Sequence, residues 1–364
     1  MPNQSPLHIA VLPGDGIGIE VMAACVRLIG HLQAGDPRLA LDLEFLEGGA
    51  ACFERTGTAL PQHSLEQAEK ADAILFGAMG LPHVRYPDGR EVAPQLDLRE
   101  ALDLYAGVRP VRTIPGIAPV LTDVRAHRID FVLVRESTEG LFSRRLSGTR
   151  EGDQVATDIL EVTRGAVERV SDFAFRLAAR RSTGRHPCVT CVDKANVLSS
   201  LAFFRQVFDE VARRHDAAVV GRHMYVDAAA LNFVRQPWAF DVIVTENMFG
   251  DILSDLGAAL LGGIGLAPSG DIGDRHAMFQ PCHGSAPDIA GSGKANPIGM
   301  FLSAAMMFDW LGERHGDDAC LRAADAIVSA VDRGFMDGSI RPIELGGAQT
   351  TEAVTDAVIA AIGP

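Results

Sequence analysis

The stretch Thr245-Glu246-Asn247-Met248-Phe249-Gly250-Asp251-Ile252-Leu253-Ser254-Asp255 stands where one structural period gives way to another. The run leading into it, Phe240-Asp241-Val242-Ile243-Val244-Thr245, is β-rich and apolar and ends at polar residues, as a buried strand does. Beyond it Phe249, Ile252, Leu253 and Leu256 recur at helical spacing, so Asp251 and Asp255 fall at i and i+4 on one helix face. Two carboxylates placed so repel unless a cation or base lies between them, and hard oxygen donors suit Mg²⁺ or Mn²⁺. The alternative is a solvated acidic face. The apolar neighbours argue for partial burial, where like charges need compensation.

Outward from this stretch the same grammar repeats. His8-Ile9-Ala10-Val11-Leu12 reads as a strand, Pro13-Gly14-Asp15-Gly16-Ile17-Gly18 as a tight loop, and Ile19 to Leu32 as a periodic helix. Ala73-Ile74-Leu75-Phe76-Gly77 and Phe131-Val132-Leu133-Val134-Arg135 are further buried strands. Strands alternating with helices predict an α/β fold, with ligands at the carboxyl ends of the strands. The glycine loop is not GxGxxG. Asp36 or Asp42 could be forced into a ribose-binding role downstream, but the loop reads as a turn whose glycines permit positive φ. No linker rich in Pro, Gly or Ser divides the chain, so its domains are expected to interleave.

Composition narrows the partners. The 364 residues are 47% hydrophobic, enough for a large core, and the formal net charge of −14 leaves no basic face for nucleic acid. An acidic substrate then needs a local cationic cluster, and Arg99, Arg109 and Arg135 each lie in an apolar context suited to one. The alternative for these is three separate structural ion pairs. Met1 to His8 shows no leader pattern, and the longest nearly apolar stretch, around residues 298–308, is too short to span a bilayer. A cytoplasmic chain without a membrane partner is expected. Cys188 and Cys191 form a lone CxxC with no second ligand pair, which reads as a strand of buried thiols.

Two more segments bear chemistry. In Val192-Asp193-Lys194-Ala195-Asn196-Val197-Leu198, Lys194 is a candidate for proton transfer, with an ion pair to Asp193 as the alternative. In His283-Gly284-Ser285-Ala286-Pro287-Asp288-Ile289-Ala290-Gly291, small residues permit close approach of a ligand, and Asp288 can accept hydrogen bonds from a ribose while repelling a 2′-phosphate.

Taken together, VDKANVL (192–198), TENMFGDILSD (245–255) and HGSAPDIAGSGKANP (283–297) resemble the isopropylmalate/isocitrate dehydrogenase family of β-decarboxylating dehydrogenases, in order and over nearly the whole chain. The resemblance implies two interleaved α/β domains around a central sheet, not a Rossmann domain. Residues 1–104 plus 262–364 would form the cofactor-binding domain, and 105–261 the dimerisation and metal/substrate domain. It implies a homodimer with shared active sites and an intersubunit arm near residues 140–161. By the same resemblance Arg99, Arg109 and Arg135 clamp substrate carboxylates, and Asp227, Asp251 and Asp255 hold Mg²⁺ or Mn²⁺. Lys194, tuned by Asp227, transfers a proton, and Asn196 lies near the nicotinamide. Ile17, Gly77, Ala78, Ser269, His283, Gly284, Ala286, Asp288, Ile289 and Asn296 match positions lining the cofactor, with Asp288 and Ile289 in the pattern of NAD users. The metal would acidify the 2-hydroxyl of a small hydroxy dicarboxylate as its hydride passes to NAD⁺.

The chain departs from the family pattern twice. Phe142 stands where the family carries the tyrosine that protonates the enol after decarboxylation. Gln95 replaces the first leucine of a pair found in isopropylmalate-specific members, and a buried amide facing an isopropyl group would lose hydrogen bonds. A 3-isopropylmalate-type activity in leucine biosynthesis is the first expectation, and D-malate or tartrate oxidation the second. A catalytically weak regulatory subunit is a third, from another class.

Overall fold

The computed structural model describes residues 5–181, 184–215 and 218–363. Residues 1–4, half of the stretch read for a leader, lie outside them.

Among the described residues twelve strands are formed: β1 Leu7–Gly14, β2 Leu41–Phe45, β3 Ala73–Ala78, β4 Ala106–Arg112, β5 Asp130–Glu136, β6 Thr149–Glu151, β7 Val155–Thr157, β8 Cys188–Asp193, β9 Val220–Tyr225, β10 Val242–Thr245, β11 Pro268–Ile272 and β12 Ala277–Pro281. The same residues form eleven α-helices: α1 Ile17–Gly35, α2 Ala50–Thr56, α3 Gln62–Lys70, α4 Pro94–Ala101, α5 Arg164–Arg180, α6 Ser199–Ala212, α7 Val226–Arg235, α8 Asn247–Leu260, α9 Ile298–His315, α10 Asp318–Asp337 and α11 Thr351–Ile362.

Ten strands join one sheet in the order β2-β1-β3-β12-β11-β4-β5-β10-β8-β9. The pairs β2/β1/β3/β12 are parallel, as are β5/β10/β8/β9, and the antiparallel β11 and β4 join the two blocks. The order is therefore not that of a doubly wound nucleotide fold. The inner strands β1, β3, β5 and β10 read as apolar runs because helices cover both faces of the sheet, whereas the edge strands β2 and β9 are more polar and more exposed. One face carries a single core running from Val21 and Leu28 of α1 through Phe301 and Phe308 of α9 to Leu253 of α8 and Phe233 of α7. The other carries two separate clusters, Leu12, Phe76 and Leu98 over the first block, and Phe175, Phe204 and Phe208 over the second.

Among the described residues α1 alone is long and apolar enough, by composition, to cross a membrane, which corrects the choice of residues 298–308 as the longest such stretch. Its Val21, Cys25, Leu28 and Ile29 are fully buried against the sheet, so it is a core helix. The CxxC lies in β8 as expected, with Cys191 buried and Cys188 half-buried, and all six cysteines are free.

The N-terminal glycine loop is held by contact. Gly14 and Gly16 have φ of +78° and +56°, and a Cβ on Gly16 would lie 2.1 Å from the Ser285 carbonyl oxygen. Asp15 between them is buried and accepts from the backbone N–H groups of Ala50, Ala51 and Gly80 at 2.7, 2.9 and 2.9 Å. Its carboxylate thus satisfies the amino end of α2 and the loop after β3.

Candidate active site

The amino end of α8 is built by its cap. Glu246 accepts from the N–H groups of Met248 and Phe249 at 3.0 and 2.7 Å, which starts the helix immediately after β10. Asp251 and Asp255 then follow one turn apart, facing a cavity of about 400 Å³. The same cavity is lined by Gly77 and Ala78 at the end of β3, Gln95 and Arg99 of α4, Arg109 of β4 and Arg135 of β5. Phe142, Ser269, Gln280, Cys282, His283 and Gly284 also line it. Tertiary structure has thus brought the three arginines, the two α8 carboxylates and five of the residues expected to line a cofactor into one hollow.

The arginines are not three independent ion pairs. Arg99 and Arg109 share one carboxylate, that of Asp271, through Nη2 of each at 3.0 and 3.1 Å. Asp271 is fully buried and also accepts from Gln280 Nε2 at 2.9 Å. Burial alone would raise the Asp271 carboxyl, but Arg99, Arg109 and Arg135 together hold it below the ordinary carboxylate range. Arg135 donates to Asn247 Oδ1 through Nε at 2.8 Å and Nη2 at 2.6 Å, and through Nη1 to Asp251. Its guanidinium lies 5.1 Å from the Phe142 ring centroid. Burial, then the neighbouring Arg99, draws Arg135 down to about 10, so it remains charged at neutral pH. Gly250 makes this possible, because a Cβ there would stand 2.6 Å from Arg135 Cγ.

Three polar atoms of the wall are buried without a hydrogen-bond partner: Gln95 Oε1, Arg99 Nε and His283 Nε2. His283 Nδ1 lies 2.9 Å from the Gly284 carbonyl oxygen and donates to it, which leaves Nε2 as an acceptor. Burial keeps this imidazole below its ordinary pKa and therefore neutral. Orphaned buried polar atoms are costly, and several on one cavity mark a place for a polar ligand.

The carboxylates fit a divalent cation in charge and donor type. Burial first, and the charge of Asp251 second, raise the Asp255 carboxyl, which is the signature of an undercompensated pair. Among the described residues no third His, Cys, Asp or Glu joins them to complete a ligand set.

Other expected residues lie elsewhere. Lys194 Nζ donates to Asp227 Oδ1 at 2.6 Å, with side chains 30% and 66% exposed, and neither lines the cavity. That hydrogen bond lowers the Asp227 carboxyl. The alternative pairing of Lys194 with Asp193 is replaced: Asp193 is buried and held by Arg205 at 2.8 and 2.7 Å. Asn196 is exposed beside Lys194. Ile17, Ala286, Asp288, Ile289 and Asn296 sit outside the cavity wall, on the two loops that meet where the Ile17 N–H donates to the Ser285 carbonyl at 2.8 Å. Asn296 is buried, and its amide donates to Glu344 Oε2 at 2.8 Å. Asp36 is held by Arg38 and Arg322, far from a nucleotide role. Reading the sequence missed Asp271, Gln280 and Asn247. Asp271 left little signal: an acid in the short strand β11, Pro268-Ser269-Gly270-Asp271-Ile272, reads as part of a turn or loop.

Comparisons with known proteins agree. The isocitrate/isopropylmalate dehydrogenase family pattern matches residues 8–359. The chain is 42% identical to the 3-isopropylmalate dehydrogenase of Methanothermobacter thermautotrophicus over 94% of each chain. It is 38% identical to the homoisocitrate dehydrogenase of Methanocaldococcus jannaschii over 97% of each. The isocitrate dehydrogenase of Methylococcus capsulatus superposes with a TM-score of 0.86 at 33% identity, covering 98% of this chain and 100% of that one. The chain therefore belongs to the isocitrate/isopropylmalate dehydrogenase family and is an NAD-dependent β-decarboxylating dehydrogenase.

Proposed function

We propose that the substrate is a 2-hydroxy dicarboxylate of the malate type, oxidised at C2 and decarboxylated at C3, with a 3-substituted malate such as 3-isopropylmalate as the first reading. The observation that carries this is the convergence of Arg99, Arg109 and Arg135 with Asp251 and Asp255 on one cavity. Guanidinium groups receive carboxylates, and the α8 pair suits a hard cation. A D-malate or tartrate substrate is the second reading, favoured by the unpartnered Gln95 Oε1, an acceptor that a hydroxyl satisfies and an isopropyl group does not.

In this reading Asp251 and Asp255, with Asp227 of the partner subunit, hold Mg²⁺ or Mn²⁺, which when bound supplies Lewis acidity at the substrate oxygens. NAD⁺, when bound, would supply the hydride acceptor. Lys194 of the partner subunit takes the hydroxyl proton, kept in range by its own Asp227. His283 offers its neutral Nε2 as an acceptor to the cofactor, beside Gly77, Ala78, Ser269 and Gly284. Ile17, Ala286, Asp288, Ile289 and Asn296 continue the cofactor groove along the two adjoining loops, and Asn196 approaches the nicotinamide end.

This assignment rests on a homodimer of chains divided as residues 1–104 plus 262–364 and 105–261. Two features support it. The segment 140–161 is pinned at its base where the Gly140 N–H donates to the Glu161 carbonyl at 3.0 Å, and it carries the exposed hairpin β6–β7. Val197, Leu231, Val234 and Ile252 leave apolar surface beside Lys194 and Asp251, being 66%, 54%, 54% and 61% exposed. A cytoplasmic location is part of the same reading.

The deciding experiment measures NADH and CO₂ with NAD⁺ and Mn²⁺ against 3-isopropylmalate, D-malate, tartrate and isocitrate. Highest kcat/KM on 3-isopropylmalate supports the first reading, and on D-malate or tartrate the second. Absence of turnover on all four discards both. Because Phe142 has no proton to donate, Phe142→Tyr is expected to raise the CO₂ to NADH ratio, and an unchanged ratio removes any role for this position in decarboxylation.

A further inference from the structure

The clamp contains a carboxylate of its own. Asp271 lies fully buried between Arg99 and Arg109, bonded to both, with Gln280 holding it from a third side. A substrate carboxylate arriving at these two guanidinium groups meets cations that already share one negative charge. Arg99 meets Asp271 through Nη2, and its buried Nε has no partner.

The hollow next to the cavity gives no relief. It shares Glu91, Gln95, Leu96 and Phe142 with the cavity and so opens directly beside it. Its arginines are all engaged. Arg90 pairs with Asp88 at 2.7 Å, and Arg145 with Asp97 at 3.2 Å and Glu100 at 3.5 Å. Arg85, from the same loop, faces Glu91 at 3.4 Å. A further carboxylate entering here would find no unpaired cation and would approach Glu91 and Asp97. In a partly desolvated pocket a like charge is a strong discriminator.

We propose that Asp271 is a specificity-determining residue that limits the site to dicarboxylates, so that 2-hydroxy tricarboxylates such as isocitrate and homoisocitrate are rejected. The inference rests on the dehydrogenase reading above and deepens it. One guanidinium charge that a third carboxylate would require is consumed inside the protein, and the side-chain hollow supplies none in its place.

The test is kcat/KM with NAD⁺ and Mn²⁺ on two dicarboxylates, D-malate and 3-isopropylmalate, and two tricarboxylates, isocitrate and homoisocitrate. Calorimetric titration of the same acids without NAD⁺ gives a second readout. The wild-type enzyme is expected to favour its better dicarboxylate at least about tenfold. Asp271→Asn, which keeps the shape and removes the charge, is expected to move that ratio about tenfold toward the tricarboxylates. A merely structural role would weaken all four acids alike, so an unchanged ratio overturns the inference. Should the variant not fold, wild-type preference decides, and equal or better use of either tricarboxylate overturns it. That outcome leaves the dehydrogenase reading intact, whereas turnover of none of the four overturns both.

Discussion

Arg109 and Lys194 are two cations assigned to the same substrate, yet they are built on opposite terms. Arg109 is 5% exposed, hydrogen-bonded to Asp271 and to the carbonyls of Val108 and Gly270, and completed within its own chain. Lys194 is partly open to solvent, held by one carboxylate, and stands away from the cavity. The contrast separates a buried wall, preorganised within one chain, from a cation held near the surface by a single carboxylate. Substitutions in the wall should therefore cost stability and activity together, whereas those at the pair should cost activity alone.

The largest effect is expected where the two costs come apart. Lys194→Met should lower kcat by about 10²–10⁴-fold with the urea midpoint unchanged, since an exposed ion pair contributes little to folding. Retained kcat would reduce the pair to ordinary surface chemistry. On the wall, Asp271→Ala should destabilise by about 3–5 kcal/mol, because two buried guanidinium groups lose their shared partner. Equilibrium unfolding measures this, and a loss below about 1 kcal/mol would mean that water or rearrangement compensates them.

A smaller wedge tests the same wall. Gly250→Ala sets a methyl against Arg135 Cγ and should cost about 1–3 kcal/mol while raising KM for the dicarboxylate. Its control is Gly30→Ala in α1, which has no neighbour within 4 Å and should stabilise by about 0.5–1 kcal/mol. Equal behaviour of the two variants would remove the steric account of Gly250.

The least intrusive probe is pH. Burial raises Glu136, next to Arg135, from an ordinary 4.5 to about 7. The folded protein thus holds this proton more tightly than the unfolded chain. Its contribution to stability is complete below about 4.5 and is lost as pH rises through about 7. Glu136→Gln should flatten the fall in stability across that window, seen in thermal midpoints at constant ionic strength. An unaltered slope would place the titration elsewhere.

Much of this site was legible along the chain because its parts are local. Asp251 and Asp255 follow one strand-to-helix junction, and the glycine loop announces a turn in its own residues. Strand and helix limits shifted by few residues: the run from Phe240 yields β10 only at Val242, since Phe240 closes a 3-10 turn. Asp271 was not legible. Its partners lie 172 and 162 residues away, and an acid in a five-residue strand carries no mark of which arginines it will meet. Asp15 was hidden differently, because an acid between glycines is an ordinary turn former until α2 docks its amino end on it.

By itself the sequence determined the alternation of elements, the family and the residue types available for catalysis, since periodicity, caps and short motifs act within a few residues. Tertiary structure alone decided that β11 and β4 would join two opposed parallel blocks into one sheet, and that Arg99 and Arg109 would close on a single carboxylate. Those outcomes depend on long-range strand pairing and on the cost of leaving a buried charge unpaired, and both are settled only when distant segments meet.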